Sequence, residues 1–136
     1  MDMERPKEAA LGWARRYQAG TQQVAPSAPV RLAVWERGDE TLAPAGEEGL
    51  RLAAGRYLLG FTGDGLAGNE REAGAVFALN GTEIPNTACT LGPGQGGRLA
   101  LLTLLSLLAP GVITVVNPGR GELRCTNGEL TVLRIQ

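Results

Sequence analysis

Residues 74–86, GAVFALNGTEIPN, constrain the fold of this chain more than any other segment. A run of small and apolar residues enters Asn80-Gly81, and a short segment leaves it towards Pro85. Asn-Gly between two extended segments is the strongest short-range signal for a tight β-turn, since both residues tolerate a positive φ. The segment therefore predicts a hairpin or strand corner in an all-β domain. Asn80-Gly81-Thr82 is also an N-glycosylation sequon, but turn chemistry explains the same three residues.

Short apolar runs separated by turn residues continue along the chain after residue 30. The 20 Gly and 8 Pro lie between these runs without a Gly-X-Y period, which favours many short strands and argues against collagen. A length of 136 residues is that of one domain. The predicted strands are residues 30–35, 41–42, 50–52, 56–62, 76–80, 98–108, 112–116, 122–125 and 129–135.

The N-terminal segment differs in pattern. Residues 6–19 begin with proline and are followed by Gly20, which predicts a short helix. Its apolar stripe consists of Ala10, Trp13 and Tyr17. That stripe packs either on the chain's own domain or on another subunit; the sequence leaves both open. Residues 21–29, TQQVAPSAP, predict a linker. The expected organisation is an N-terminal helix and linker over residues 1–29 and a β domain over residues 30–136.

Three segments predict loops or turns. Residues 62–74 carry the oxygen donors Asp64, Asn69 and Glu70, but their spacing is not that of an EF-hand, so a solvated loop is favoured over a calcium site. Residues 91–97 are glycine-rich and lack the Lys-Ser/Thr of a phosphate-binding loop. Asn127-Gly128 is expected to join the last two strands as a hairpin.

The chain contains no histidine, and this excludes His-based general acid/base catalysis, Ser-His-Asp and Cys-His arrangements, and nearly all zinc sites other than four-cysteine ones. Cys89 and Cys125 are too few for a four-thiolate site in one chain. They form either one disulfide or two buried free thiols. We expect no metal, no cofactor and no catalytic residue.

The charge pattern argues against two classes of partner. The 13 basic and 14 acidic residues are interspersed, whereas a nucleic-acid binder shows a basic stripe. The N-terminus has charged residues where a signal peptide needs an apolar core, so no Sec-type export is expected. The most apolar run, residues 99–108, is too short for a transmembrane helix, and we expect no membrane insertion.

Four segments in order resemble a known family: LAAGRYLLGF, VFALNGTEIP, RLALLTLLSLLAPGVITVVN and NGELTVLRI. Together they resemble the C-terminal head domain of the collagen-like exosporium glycoproteins of spore-forming bacteria, over residues 30–135. Those heads are similar to the C1q and tumour-necrosis-factor superfamily. The resemblance implies a jelly-roll sandwich of about eight to ten antiparallel strands, here with a short N-terminal helix, that assembles as a non-enzymatic homotrimer. Residues 1–29 contain neither a Gly-X-Y repeat nor the family's proline-rich leader.

The resemblance also accounts for strands that are apolar on both faces. A jelly roll buries one face of each sheet in its own core, and a trimer buries part of the other. We expect Tyr57, Leu59 and Phe61 to fill the core. Gly60 indicates either close approach of another backbone or a β-bulge. The residues expected to face a threefold axis are Leu58, Gly60, Thr131, Leu133 and Ile135.

The function that these features favour is a structural or surface-display module on a spore or cell surface. Its exposed loops would contact a surface protein or a carbohydrate. A phage fibre tip or receptor-binding head uses the same architecture and is the alternative. A small jelly-roll enzyme of the cupin type is disfavoured, because those metal sites rely on histidine.

Overall fold

Twelve strands in two antiparallel sheets make up the protein in the computed structural model, which describes residues 12–135. The strands are β1 (Trp13–Tyr17), β2 (Thr21–Val24), β3 (Val34–Arg37), β4 (Leu42–Ala45), β5 (Gly49–Leu52), β6 (Gly55–Ala67), β7 (Ala73–Leu79), β8 (Thr82–Glu83), β9 (Cys89–Leu91), β10 (Gly96–Leu107), β11 (Gly111–Val116) and β12 (Leu123–Arg134). Sheet 1 has the order β10-β6-β12-β1-β3, with β2 also paired to β12. Sheet 2 has the order β4-β5-β11-β7-β8, with β9 also paired to β7. The predicted all-β jelly-roll sandwich is confirmed.

The core lies between the two sheets and follows the period-two alternation of β6. Tyr57, Leu59 and Phe61 point inward and are completely buried, as predicted. Phe77 and Ile113 of sheet 2 are equally buried in the same apolar cluster. Burial of each such side chain stabilises the fold by about 1.5–3 kcal/mol.

The Asn80-Gly81 turn forms as the sequence predicts. Asn80 and Gly81 have φ values of 51° and 86°, and the flanking residues Leu79 and Thr82 pair across the turn. The Asn80 side-chain oxygen also accepts a hydrogen bond of 2.9 Å from the Val112 amide, which fixes the turn against β11. A turn residue here therefore also positions a strand of sheet 2.

The helix predicted over residues 6–19 is wrong for the part that the structure describes. Trp13–Tyr17 is β1, which pairs along its whole length with β12, and residues 6–11 lie outside the described residues. The sequence of β1 does not show the apolar and polar alternation of a strand, because Arg16 occupies an inward position where a strand normally carries an apolar residue. Its guanidinium donates hydrogen bonds to the carbonyls of Leu32, Gly46 and Gly49, so its burial is compensated.

The predicted linker also contains a strand, and the next strand begins later than expected. Thr21–Val24 is β2, which pairs with β12. Residues 30–33 lie outside the ladders, although the Val30 amide donates a 2.7 Å bond to the Val115 carbonyl. The regular strand is β3, Val34–Arg37.

The loop predicted over residues 62–74 is shorter, because β6 continues to Ala67. Gly63 and Gly65 lie at inward positions of this extension. A Cβ on Gly65 would stand 3.0 Å from side-chain atoms of Leu91 and Leu99, so the glycine leaves room for core residues. Glycines that predict a loop from the sequence are therefore strand residues here, at positions where neighbouring core side chains pack closely.

The predicted final hairpin does not form: residues 123–134 form one continuous strand, β12. Asn127 has a φ of 58°, and the register with β6 shifts between Thr126 and Glu129, so Asn127-Gly128 is a β-bulge. Gln18 holds the bulge in place. Its side-chain oxygen accepts from the Gly128 amide at 3.0 Å, and its amide nitrogen donates to the Cys125 carbonyl at 2.9 Å.

The strands predicted over residues 98–108 and 112–116 are confirmed as β10 and β11. No helix within residues 12–135 is long and apolar enough to cross a membrane.

Candidate functional site: the outer face of sheet 1

The outer face of sheet 1 is formed by the outward side chains of β10, β6, β12 and β1, which lie side by side in rows set by the strand register. The first row is Leu104, Leu58, Leu133 and Trp13. The second row is Leu102, Gly60, Thr131 and Arg15. The third row is Ala100, Thr62, Glu129 and Tyr17. The face thus changes from apolar to mixed along the strands.

Leucines make this face unusually apolar for a solvent-facing surface. Leu102 and Leu104 are 72% and 70% exposed, and Trp13 is 38% exposed at the other end of the first row. Leu58 and Leu133, between them, are half-buried by these neighbours. Contiguous exposed apolar surface rimmed by polar groups is typical of an interaction site.

The structure brings together the residues that the sequence predicts at a subunit interface. Thr131 lies directly opposite Gly60, and Leu133 lies directly opposite Leu58. Ile135 follows the end of β12, is exposed, and donates its amide to the carbonyl of Arg56. All five side-chain positions share one face; their role in assembly stays a prediction.

Leu102, Leu104 and Trp13 belong to the same face and were missed. The leucines of β10 occupy both inward and outward positions, so periodicity gave no way to separate a strand buried on both faces from one with an exposed leucine row. Trp13 was assigned to a helix stripe. The available signal was its spacing with Arg15 and Tyr17, which places all three on one side of a strand.

A shallow depression of about 430 Å³ lies over Gly60. Its lining includes Leu102, Thr62, Thr131 and Glu129. Gly60 pairs regularly with Leu102 on one side and with Thr131 on the other, and its φ is not in the left-handed region. The β-bulge interpretation of Gly60 is therefore wrong.

Charged groups border the apolar rows. Arg15 lies 3.0 Å from a carboxylate oxygen of Glu36 and 3.2 Å from one of Glu129, and its guanidinium stands 4.8 Å from the centre of the Tyr17 ring. Arg98 and Asp64 form a 3.5 Å pair further along the face. An apolar centre with a charged rim is the usual arrangement of a protein interface.

The proposed oxygen donors of a calcium site are not gathered. Asp64 lies on β6, paired with Arg98 and with the Asn127 side-chain amide at 3.1 Å, whereas Asn69 and Glu70 follow the strand end. Among residues 12–135, no group of three or more His, Cys, Asp or Glu could hold a metal ion.

The two cysteines are free thiols, which excludes the disulfide; Cys125 is buried as expected, whereas Cys89 is only half-buried. Cys125 is completely buried, and burial raises the pKa of its thiol to about 11, with a smaller contribution from Asp64. A thiol with that pKa is almost entirely protonated at neutral pH, so Cys125 behaves as a small apolar core residue.

Solved structures share this arrangement of strands. The structure of Eiger TNF from S. frugiperda superposes with a TM-score of 0.70 at 13% identity, covering 93% of each chain. Murine APRIL at pH 5.0 superposes with a TM-score of 0.62 at 14% identity, covering 93% of this chain and 100% of the other. No family model matches the sequence, and no curated protein matches it. At these identities the likeness establishes the fold: a jelly roll of the tumour-necrosis-factor type.

Proposed function

We propose that this protein is a non-enzymatic homotrimeric module that displays its loops on a spore or cell surface. The observation that supports assembly is the outer face of sheet 1, where Leu102 and Leu104 are about 70% exposed. Removing apolar surface from water is worth roughly 25 cal/mol per Å², which is the driving force for covering such a face. A second copy of the chain is an apolar partner that is always present.

The unpaired edge of the sheet supports the same proposal. Among the described strands, β10 pairs only with β6, so no strand pairs with its other edge. Long apolar edges promote aggregation unless something covers them. A closed ring of copies covers this edge in each copy and stops growth.

The number of copies and the display role rest on the sequence resemblance to trimeric exosporium head domains. A surface protein or a carbohydrate is the expected partner of the exposed loops. The absence of histidine and the inert Cys125 thiol support a role without catalysis.

Light scattering of the purified 136-residue chain tests the proposal. We expect a mass of about three times the chain mass of 14.2 kDa. Leu133→Asp places a charge in the first row of the face and is expected to give a monomer, because an unpaired buried charge is costly. A wild-type monomer, or a trimer of Leu133→Asp at micromolar concentration, would contradict the proposal.

A matched pair of variants controls for the effect of the added charge itself. Thr131 lies on the face and Thr90 lies on β9 of sheet 2, and both side chains are exposed. Thr131→Asp should dissociate the trimer, and Thr90→Asp should leave it intact. Equal behaviour of the two variants would show that the outer face of sheet 1 is not the contact surface.

A further inference from the structure

The dipeptide Asn-Gly occurs twice in the chain, and the structure gives the two copies opposite surroundings. Asn80-Gly81 is the exposed turn between β7 and β8, whereas Asn127-Gly128 is the bulge of β12. In this dipeptide the glycine nitrogen can attack the side-chain amide of the asparagine, because glycine has no Cβ to hinder the approach. The two copies therefore differ in whether their surroundings permit the attack.

The attacking nitrogen is accessible in the turn and protected in the bulge. Within residues 12–135, no group accepts a hydrogen bond from the Gly81 amide, and no atom lies within 4 Å of a Cβ built on Gly81. The Gly128 amide instead donates a 3.0 Å hydrogen bond to the side-chain oxygen of Gln18. A Cβ built on Gly128 would stand 2.6 Å from that same oxygen. The side-chain nitrogen of Asn127 is also held, since it donates to Asp64 at 3.1 Å.

The side-chain amide of Asn80 is held so that its carbonyl is polarised. The Val112 amide donates to the side-chain oxygen of Asn80 at 2.9 Å, and the Asn80 amide donates to the Val112 carbonyl at 2.8 Å. The side-chain oxygen gains negative charge when a nucleophile adds to the amide carbon, and a fixed N–H donor stabilises that charge. Asn80 is exposed, so solvent reaches the side-chain nitrogen that has to leave.

We propose that Asn80 is a site of spontaneous deamidation in the folded protein, with water as the co-reactant and hydroxide as the base. The Gly81 nitrogen gives its proton to hydroxide and bonds to the side-chain carbon of Asn80. The bond between that carbon and the side-chain nitrogen breaks, and ammonia leaves after taking a proton from water, which restores the hydroxide. Water then opens the resulting succinimide ring at either carbonyl, so that position 80 becomes an isoaspartate or an aspartate.

Both products change the contact between the turn and β11. Each carries a negative charge where the amide of Asn80 is neutral. An isoaspartate also adds a carbon to the main chain and shortens the side chain, so the pair of hydrogen bonds to Val112 is lost. An aspartate keeps an oxygen that accepts from the Val112 amide. The turn belongs to sheet 2, so the inference does not depend on the proposed homotrimer.

The two copies of the dipeptide can be compared within one chain. The purified protein is incubated at mildly alkaline pH and physiological temperature, and mass spectrometry of its peptides measures the replacement of NH2 by OH. We expect conversion at Asn80 to be about tenfold faster than at Asn127 or more, since the bulge has to open before Gly128 can react. In denaturant the two rates should become similar. Equal rates in the folded chain, or an Asn80 that stays intact while the denatured chain converts, would overturn the inference.

A variant of the bulge tests the cause of the protection. Gln18→Ala frees the Gly128 amide, and in the folded variant conversion at Asn127 should approach that at Asn80. Unchanged slow conversion at Asn127 would show that Gln18 does not protect it. If circular dichroism shows that Gln18→Ala is unfolded, the comparison within the wild-type chain decides alone.

Hydrogen exchange at the Val112 amide tests the structural consequence. The isoaspartate form, separated by ion exchange, should exchange this amide faster than the fresh protein does. Asn80→Asp is the matched control, because it adds the same charge and keeps the acceptor, and it should exchange as slowly as the fresh protein. Slow exchange in the isoaspartate form would show that the modification leaves the contact with β11 intact, against the inference.

Discussion

The two faces of β6 differ in what covers them. The inward side chains, such as Phe61, are completely buried under sheet 2 of the same chain. The outward positions lie beside leucines that are about 70% exposed on β10. One face is therefore buried within a single chain, whereas the other leaves leucine side chains exposed.

The largest expected effect comes from the buried face. Phe61→Ala should lower the free energy of unfolding by about 3–5 kcal/mol, because it removes a core ring and leaves a cavity. Leu104→Ala should change it by less than about 0.5 kcal/mol, since the side chain is mostly exposed in one chain. Denaturant unfolding in a Thr131→Asp background, where the chains are expected to be monomers, measures both. Comparable losses of unfolding free energy in the two variants would show that the inner and outer faces of sheet 1 contribute equally to the stability of a single chain.

Adjacent arginines on β1 provide a second, smaller contrast. Arg16 points inward, and burial lowers the pKa of its guanidinium, while Glu48 and Glu47 act in the opposite sense. Arg16→Met should cost about 3 kcal/mol, because buried carbonyls lose a charged donor. Arg15→Met should cost less than about 1 kcal/mol in a monomer, since its ion pairs are exposed.

Thermal and denaturant unfolding of both arginine variants, in a Leu133→Asp background where the chains are expected to be monomers, test this contrast. In the otherwise wild-type chain, Arg15→Met should instead affect the mass measured by light scattering, because Arg15 borders the apolar rows. A stable Arg16→Met variant would show that the inward arginine is not an anchor for residues 32, 46 and 49.

The smallest effect is expected at Glu72, which lies on neither face. Arg120 holds this carboxylate through two hydrogen bonds of 3.0 Å and 3.3 Å, which lower the pKa of Glu72 to about 2. A depressed pKa in the folded state contributes stability above the ordinary pKa, and this contribution is lost as the pH falls towards 2. The difference in melting temperature between wild type and Glu72→Gln should be small at pH 7 and should shrink in acid.

Glu122→Gln, an exposed neighbour of the same loops, is the control for that measurement. Both glutamine variants should keep the mass of the wild type. A change of mass in Glu72→Gln would mean that the loops around Glu72 take part in assembly. We do not expect this, because Glu72 lies on neither face of sheet 1.

The inward alternation of β6 and the Asn80-Gly81 turn were predictable because local chemistry and tertiary contacts agree there. At Asn127-Gly128 the same dipeptide forms a bulge. The residues on both sides of it pair with one long partner, β6, and Gln18 binds the bulge from far along the sequence. No local signal separates these two outcomes.

The error at β1 has a similar cause. Ala14 and Arg16 alternate correctly for a strand, but only the distant carbonyls of residues 32, 46 and 49 make an inward arginine acceptable. The family resemblance and the period-two alternation together predicted five positions of the outer face: Leu58, Gly60, Thr131, Leu133 and Ile135. Leu102 and Leu104 were missed because leucines occupy both faces of β10.

The bulged strand β12 has a consequence for the order of folding during synthesis. β12 lies between β6 and the N-terminal strands, and β2 has no other strand partner among the described residues. β2 must therefore wait until residues 123–134 have been translated, whereas β1 can already pair with β3. Such long-range closure is slow and leaves strand edges open meanwhile. A truncation before Leu123 would remove the partner of β2 and one of the two partners of β1 and of β6.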